Sequence, residues 1–183
     1  MEKYLSQERI FLYCIQYTVY LILIMITENL TNKFVAVLNE KIPVGSLMNA
    51  LAHMTAGLVG AYPNVADMRF DSYFDKDGGD HKSISDHPFI ILKAENSNQI
   101  RTLRQQLLNH NSNLPFITST HVRENDEYIH FVDFTDTMTV GTYVEQKERT
   151  KQTSEADLQY YGICMFGDKI TLSQLTKKFS LWR

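Results

Sequence analysis

The sequence predicts a single α/β domain in which layers of strands and helices are joined by crossovers. Short apolar and β-branched runs alternate along the chain with longer segments of helical period, and this alternation is typical of strands joined by helical crossovers. The length of 183 residues suits one domain with a core of ordinary size. An apolar fraction of 44% and a charged fraction of 21% indicate a globular chain and exclude a disordered or fibrous one.

The first strand and the first helix are predicted from neighbouring segments. Residues 33–38, KFVAVL, are a short apolar run rich in strand-forming residues, and turn-forming residues follow it. A helix is expected from about Ser46 to Gly60, because large apolar residues recur there at steps of four, three and four. These residues are Leu47, Leu51, Met54 and Leu58.

The later segments continue the alternation of strands and helices. Residues 61–88 are expected to be irregular, with a short strand at 68–74 and an acidic turn after it. A strand at 88–94 precedes a helix at 98–111, for which Asn96 or Ser97 supplies the N-cap. Further strands are predicted at 114–119, 128–134, 158–166 and 179–182, and further helices at 142–152 and 170–178.

Residues 10–27 form an uncharged apolar run at the short end of the lengths that span a membrane. Three explanations stay open: an upstream start site with Met25 as the true initiator, a membrane anchor or interfacial helix, or a helix docked to the domain. We therefore divide the chain into an N-terminal extension, residues 1–27, and a domain, residues 28–183. We expect a cytoplasmic protein, with anchoring through residues 10–27 as the alternative.

Charge and motifs exclude several classes of site. A net charge of −3 does not provide the basic surface of a nucleic-acid binder, although Lys147, Arg149 and Lys151 form a local basic cluster. Cys14 and Cys164 have no metal-ligand spacing, and the acidic turn at 75–80 does not fit a calcium loop. Because the glycine-rich phosphate and dinucleotide motifs are also absent, we expect no metal and no cofactor.

The end of the first strand is the predicted ligand site. Ligands of open α/β sheets bind beyond the carboxyl ends of strands. Here the strand ends at Asn39 and Glu40, and the helix begins at Gly45 and Ser46, where main-chain N–H groups and the helix dipole favour an anion. The expected partner is therefore a small anionic ligand.

Three further side chains are candidates for the same site. Asn49 and His53 are four residues apart and so share one face of the helix. His53 is either a proton carrier or the donor of a structural hydrogen bond. Asp133 lies at the carboxyl end of a strong strand, where it either acts as a functional carboxylate or, with Thr135 and Asp136, forms a turn and caps the next helix.

Four segments carry a family resemblance: KFVAVLNEKIPVGSLMNALAHMTAG, PFIILKAENSNQIRTLRQQ, FVDFTDT and LQYYGICMFGDKITLSQLTKKFSLWR. In this order they resemble the bacterial domain-of-unknown-function family numbered two thousand. That family is similar in fold to peptidyl-tRNA hydrolase type II. The resemblance implies a compact three-layer α/β domain with a mixed sheet of about four strands flanked by helices. A homodimer is expected because the hydrolase relatives are often dimers.

The resemblance does not carry over the hydrolase chemistry. When His53 is aligned with the histidine of the hydrolase pattern M-G-K-G-K-x-A-A-Q-x-x-H, Val44 and Ser46 stand where that pattern has lysines. Asp133 matches the hydrolase aspartate, but Gln159 stands in place of a threonine. Valine and serine cannot supply charge to tRNA phosphates, so we expect neither tRNA binding nor peptidyl-tRNA cleavage.

Two functions remain as hypotheses. The first is a small-ligand-binding or regulatory module whose ligand contacts Asn39, Glu40, Gly45, Ser46 and Asn49. The alternative is a hydrolase in which His53 is the general base and Asp133 or Glu40 orients it or the attacking water. The alternative requires His53, Asp133 and Asn49 to converge within hydrogen-bond reach around a cleft.

Overall fold

A computed structural model describes residues 30–114 and 128–183. The chain divides into two units, residues 1–31 and 32–183, and the elements below belong to the second. The apolar run at 10–27, Cys14 and almost all of the strand predicted at 114–119 lie outside the described residues and stay predictions. Among the residues that are described, no helix has the length and apolar character needed to cross a membrane.

Within this described part, the predicted α/β architecture is confirmed, with five strands in the main sheet rather than about four and a separate two-stranded hairpin. The elements in chain order are β1 (Asn32–Asn39), α1 (Val44–Ala61), β2 (Phe70–Phe74), β3 (Asp80–Ser85), β4 (Phe89–Ala94), α2 (Ser97–Ser112), β5 (His130–Thr135), α3 (Tyr143–Gln152), β6 (Tyr160–Asp168), α4 (Lys169–Thr176) and β7 (Ser180–Leu181). The predicted cap of α2 is confirmed, because the side chain of Asn96 accepts a hydrogen bond from the main-chain N–H of Gln99.

The strand order of the main sheet is β5-β6-β1-β4-β7. β1 lies at the centre, parallel to β4 and antiparallel to β6. β5 is antiparallel to β6 and forms one edge of the sheet. Because β1 and β5 are both antiparallel to β6, their carboxyl ends lie at the same end of the sheet.

Side chains of the sheet alternate between two buried cores. On β1, Phe34, Ala36 and Leu38 pack with the apolar stripe of α1, whereas Val35 and Val37 pack with α2 and α4. Helices therefore cover both faces, which gives the three layers. Of the predicted α1 stripe, Leu47, Met54 and Leu58 are buried and Leu51 is half-buried.

His87, which the sequence places only in a loop, is buried between the segment before β2 and the main sheet. Its Nδ1 lies 3.0 Å from the carbonyl oxygen of Asn32, and its Nε2 lies 2.9 Å from that of Asp67. The ring also packs edge-on against Phe166. His87 therefore joins the segment before β2 to the start of β1 through two main-chain carbonyls.

Candidate functional site

A cleft of about 570 Å³ opens near the carboxyl end of β5, between α1, β5 and α3. Its floor is apolar and its rim is polar. The floor consists of Met54, Val132, Phe134 and Met138, and the remaining lining residues are His53, Asp133, Tyr143, Gln146, Lys147, Thr150 and Lys151.

Hydroxyl groups hold α3 beside the end of β5. The Thr135 and Thr137 hydroxyl oxygens are 2.9 Å apart, and the Thr137 and Thr150 hydroxyl oxygens are 2.7 Å apart. α3 has no buried residue, so this chain of hydroxyls, rather than core packing, connects it to the sheet. A capping box between Thr142 and Glu145 fixes where the helix begins. The wall of the cleft that α3 provides therefore depends on short polar contacts.

His53 lies on the exposed side of α1, next in sequence to the buried Met54. Its ring stacks on Phe134, with centroids 5.9 Å apart and planes inclined by 20°. The described residues provide no hydrogen-bond partner for the ring nitrogens of His53. A ligand in the cleft can therefore use them as donor or acceptor.

Asp133 lines the same cleft, but its carboxylate lies on the other face of the sheet. Its neighbours Val132 and Phe134 pack toward α1, so Asp133 points toward α2, where its Oδ2 lies 2.6 Å from Nε of Arg104. Partial burial alone would lower the pKa of Arg104, but its hydrogen bond and attraction to Asp133 raise that pKa above its ordinary value. The structure therefore brings His53 and Asp133 to one cleft without placing them within hydrogen-bond reach.

The rim of the cleft is cationic. Lys147 and Lys151 are one turn apart on α3, and the Nζ of Lys147 lies 4.3 Å from the centroid of the exposed Tyr143 ring. Neither lysine forms an ion pair with a carboxylate of the described residues. The basic cluster at 147–151 was visible in the sequence, but only the fold shows that two of its lysines line the same cleft as His53.

The residues predicted at the end of β1 lie outside this lining. Asn39 is buried, where its amide donates to the carbonyl of Tyr160 at 3.2 Å and its Oδ1 accepts from the N–H of Lys41 at 3.2 Å. The carboxylate of Glu40 lies 3.3 Å from Nζ of Lys93. Both side chains are therefore engaged with the protein itself.

The helix start is exposed and separate from the cleft. Gly45, Ser46 and Asn49 lie on the first turns of α1, all exposed, and none of them lines the cleft. In the two described ranges, no group of three or more histidine, cysteine or acidic side chains could hold a metal ion. The arrangement that the fold builds is thus an apolar cleft with a cationic rim, displaced from the predicted helix-start site.

Comparisons with known proteins agree with the fold and assign no activity. Residues 32–183 match the family described as "Protein of unknown function (DUF2000)". The comparison with curated proteins found no match. Among solved structures, the chain is similar to a protein of unknown function from Agrobacterium tumefaciens, with a TM-score of 0.65, 16% identity, and coverage of 84% of this chain and 98% of that chain.

Proposed function

We propose that this chain, which belongs to the DUF2000 family of proteins of unknown function, is a binding module for a small anionic ligand with an apolar body. The ligand occupies the cleft between α1, β5 and α3. The observation that carries the proposal is the pairing of an apolar floor with lysines that have no carboxylate partner among the described residues.

The dimensions and the chemistry of the cleft suit such a ligand. Ligand sites usually enclose about 300–1,000 Å³ and combine apolar walls with a few convergent polar groups. An apolar body on the floor removes hydrocarbon surface from water, which contributes about 25 cal/mol for each Å². The anionic group neutralises Lys147 and Lys151 at the rim, and the His53 ring supplies a directional hydrogen bond.

Thermal denaturation with a panel of aromatic and aliphatic carboxylates and phosphate monoesters tests the proposal. Binding at 100 times Kd stabilises the folded state by about 2.7 kcal/mol, which raises Tm by about 5 to 10 °C for a chain of this size. A double variant, Lys147→Ala with Lys151→Ala, should lose most of this shift. The control, Lys76→Ala with Lys177→Ala, removes the same charge from exposed positions outside the cleft and should keep it.

Two results would contradict the proposal. One is that no compound of the panel raises Tm. The other is that the control pair loses as much of the shift as the pair in the cleft, because the lysines would then act through net charge rather than through contact.

A hydrolase is the alternative, and the observation that favours it is the exposed His53 ring in the cleft. A histidine whose ring nitrogens have no hydrogen-bond partner among the described residues is available there as a general base. The carboxylate of Asp133 is paired with Arg104 and is not positioned to orient it. Turnover of an ester substrate that His53→Gln abolishes, with the Tm shift by the ligand retained, would decide for the enzyme.

A further inference from the structure

A second cavity, of about 240 Å³, lies along the same edge of the sheet. It is lined by Leu58 and Ala61 of α1, and also by Leu108 and Asn111 of α2. These two helices pack on opposite faces of the sheet. A cavity that touches both must therefore lie beyond the sheet's edge, beside β5.

The two cavities meet along β5. Both reach Val132, and the larger one continues to Asp133 and Phe134. The larger cavity touches Asp133 although the carboxylate of this residue lies on the α2 face, so this cavity also reaches the outer edge of the strand. Together they form a groove, here the β5 groove, that follows the strand from Phe131 to Phe134.

The outer side of β5 offers main-chain hydrogen bonds to whatever lies in this groove. In the described ranges, β5 pairs with β6 alone. The N–H and C=O groups of alternate residues between Phe131 and Phe134 point away from β6. An edge of this kind is a template for pairing with another extended chain.

We propose that the ligand of the cleft is the carboxyl end of an extended peptide that pairs with β5 as a sixth strand. This inference rests on the proposed function, since it names the class of anion that the lysines receive. The terminal carboxylate lies at Lys147 and Lys151, near Phe134 at the carboxyl end of β5, so the peptide runs parallel to β5. Main-chain bonds supply the affinity, and the two cavities receive side chains of the peptide.

The length and charge of the groove favour a peptide over other occupants. Four strand residues span about 13 Å, which exceeds the reach of a compact carboxylate but matches an extended tetrapeptide. A second copy of this chain would present its own β5, which has no terminal carboxylate and whose Asp133 is already paired with Arg104. A peptide end brings the negative charge that the rim lacks.

Amide hydrogen exchange of the full chain tests the proposal. The exchange rates are measured by NMR with and without a pool of randomised octapeptides that have free carboxyl ends. The outward amides between Phe131 and Phe134 should exchange at least about tenfold more slowly with the pool, because each gains an acceptor. A pool ending in carboxamides should protect them several-fold less. A pool with N-methylated main-chain nitrogens should not protect them.

The lysine variants separate charge recognition from strand pairing. With Lys147→Ala and Lys151→Ala together, the free-acid and carboxamide pools should become equal, at about a tenfold cost in affinity for the free acid. The Lys76→Ala with Lys177→Ala control should keep the preference for the free acid. Equal losses in both double variants would overturn the assignment of the carboxylate to the rim.

Five other outcomes would overturn the peptide assignment. If no pool protects β5 while the carboxylate panel still raises Tm, the cleft binds small anions and the peptide inference fails alone; if neither acts, both proposals fail. If N-methylated peptides protect equally, strand pairing is absent. If the outward amides are already protected in the free monomer, the chain covers its own edge. If protection instead rises with protein concentration together with a dimer mass by ultracentrifugation, the occupant is a second copy.

Discussion

Replacing Asp133 with alanine should destabilise the domain by about 2–3 kcal/mol and leave ligand binding in the cleft intact. The carboxylate accepts a hydrogen bond from Nε of Arg104 at 2.6 Å, and the two side chains are only 19% and 27% exposed. The expectation follows from this placement on the α2 face, where the carboxylate stabilises the packing of β5 against α2.

The size of the effect comes from the burial of the pair. A hydrogen bond to a charged group contributes about 1.5–3 kcal/mol, and loss of one partner from a fully buried pair costs about 3–5 kcal/mol. Because this pair is partly exposed, we expect a cost in stability below the range for a fully buried pair. Arg104 also keeps its contact with Glu155, where Nη1 and Oε1 are 3.0 Å apart, so its charge is not left without a partner.

Urea denaturation measures the free energy of unfolding of the wild type, Asp133→Ala, Arg104→Ala and the double variant. These four values give the coupling energy between the two side chains. We expect a coupling energy of about 1–2 kcal/mol and a fall in Tm of about 4 to 12 °C for the aspartate variant. Asp77→Ala, in the exposed turn of the hairpin, is the matched control and should stay within about 0.5 kcal/mol of the wild type.

The opposite pattern would refute this reasoning. If Asp133→Ala leaves the free energy of unfolding within about 0.5 kcal/mol of the wild type and abolishes binding or turnover, the carboxylate acts in the cleft. The sequence-based pairing of His53 with Asp133 would then describe the site better than the ion pair does.

Burial raises the pKa of the Cys164 thiol from 9.0 to about 11. The unfolded thiol therefore loses its proton first, and the free energy of unfolding should fall by about 2–3 kcal/mol between pH 9 and pH 11 in urea titrations, a loss that Cys164→Ala reduces. Gly162→Ala should cost about 1–3 kcal/mol, because its Cβ would lie 2.7 Å from Cδ2 of Leu38. Gly57→Ala, whose Cβ would meet side-chain atoms no closer than 3.6 Å, should gain about 0.5–1 kcal/mol in the same assay. His87→Phe should cost about 1–3 kcal/mol in chemical denaturation, since a part-buried main-chain carbonyl loses the ring N–H that donates to it.

Each of these expectations has a clear contrary result. An alkaline loss of stability that is unchanged in Cys164→Ala would assign it to other groups. Equal effects at Gly162 and Gly57 would mean that β6 and α1 are not packed as closely as described. A His87→Phe variant as stable as the wild type would show that the carbonyl finds another donor.

The buried elements could be predicted because their signal is local. β1 is buried on both faces, so it forms a short continuous apolar run, and α1 buries one stripe, so its large apolar residues recur with the helix period. The hairpin differs. Its second strand, β3, has the sequence DHKSIS, is mostly exposed and has no apolar period. It pairs with β2 through main-chain hydrogen bonds, which depend little on the side-chain sequence. This second strand was therefore missed.

The sequence by itself determined that an α/β layer fold forms and where its central elements lie, whereas a functional role for His53 and Asp133 stays a prediction. Only the tertiary structure decided that the Asp133 side chain pairs with Arg104, that the Asn39 side chain bonds to β6, and that two lysines of α3 line the same cleft as His53. The physical reason is the range of the interactions. Periodicity records burial over a few neighbouring residues, whereas a cleft is made by segments about 90 residues apart whose meeting depends on strand order and side-chain direction.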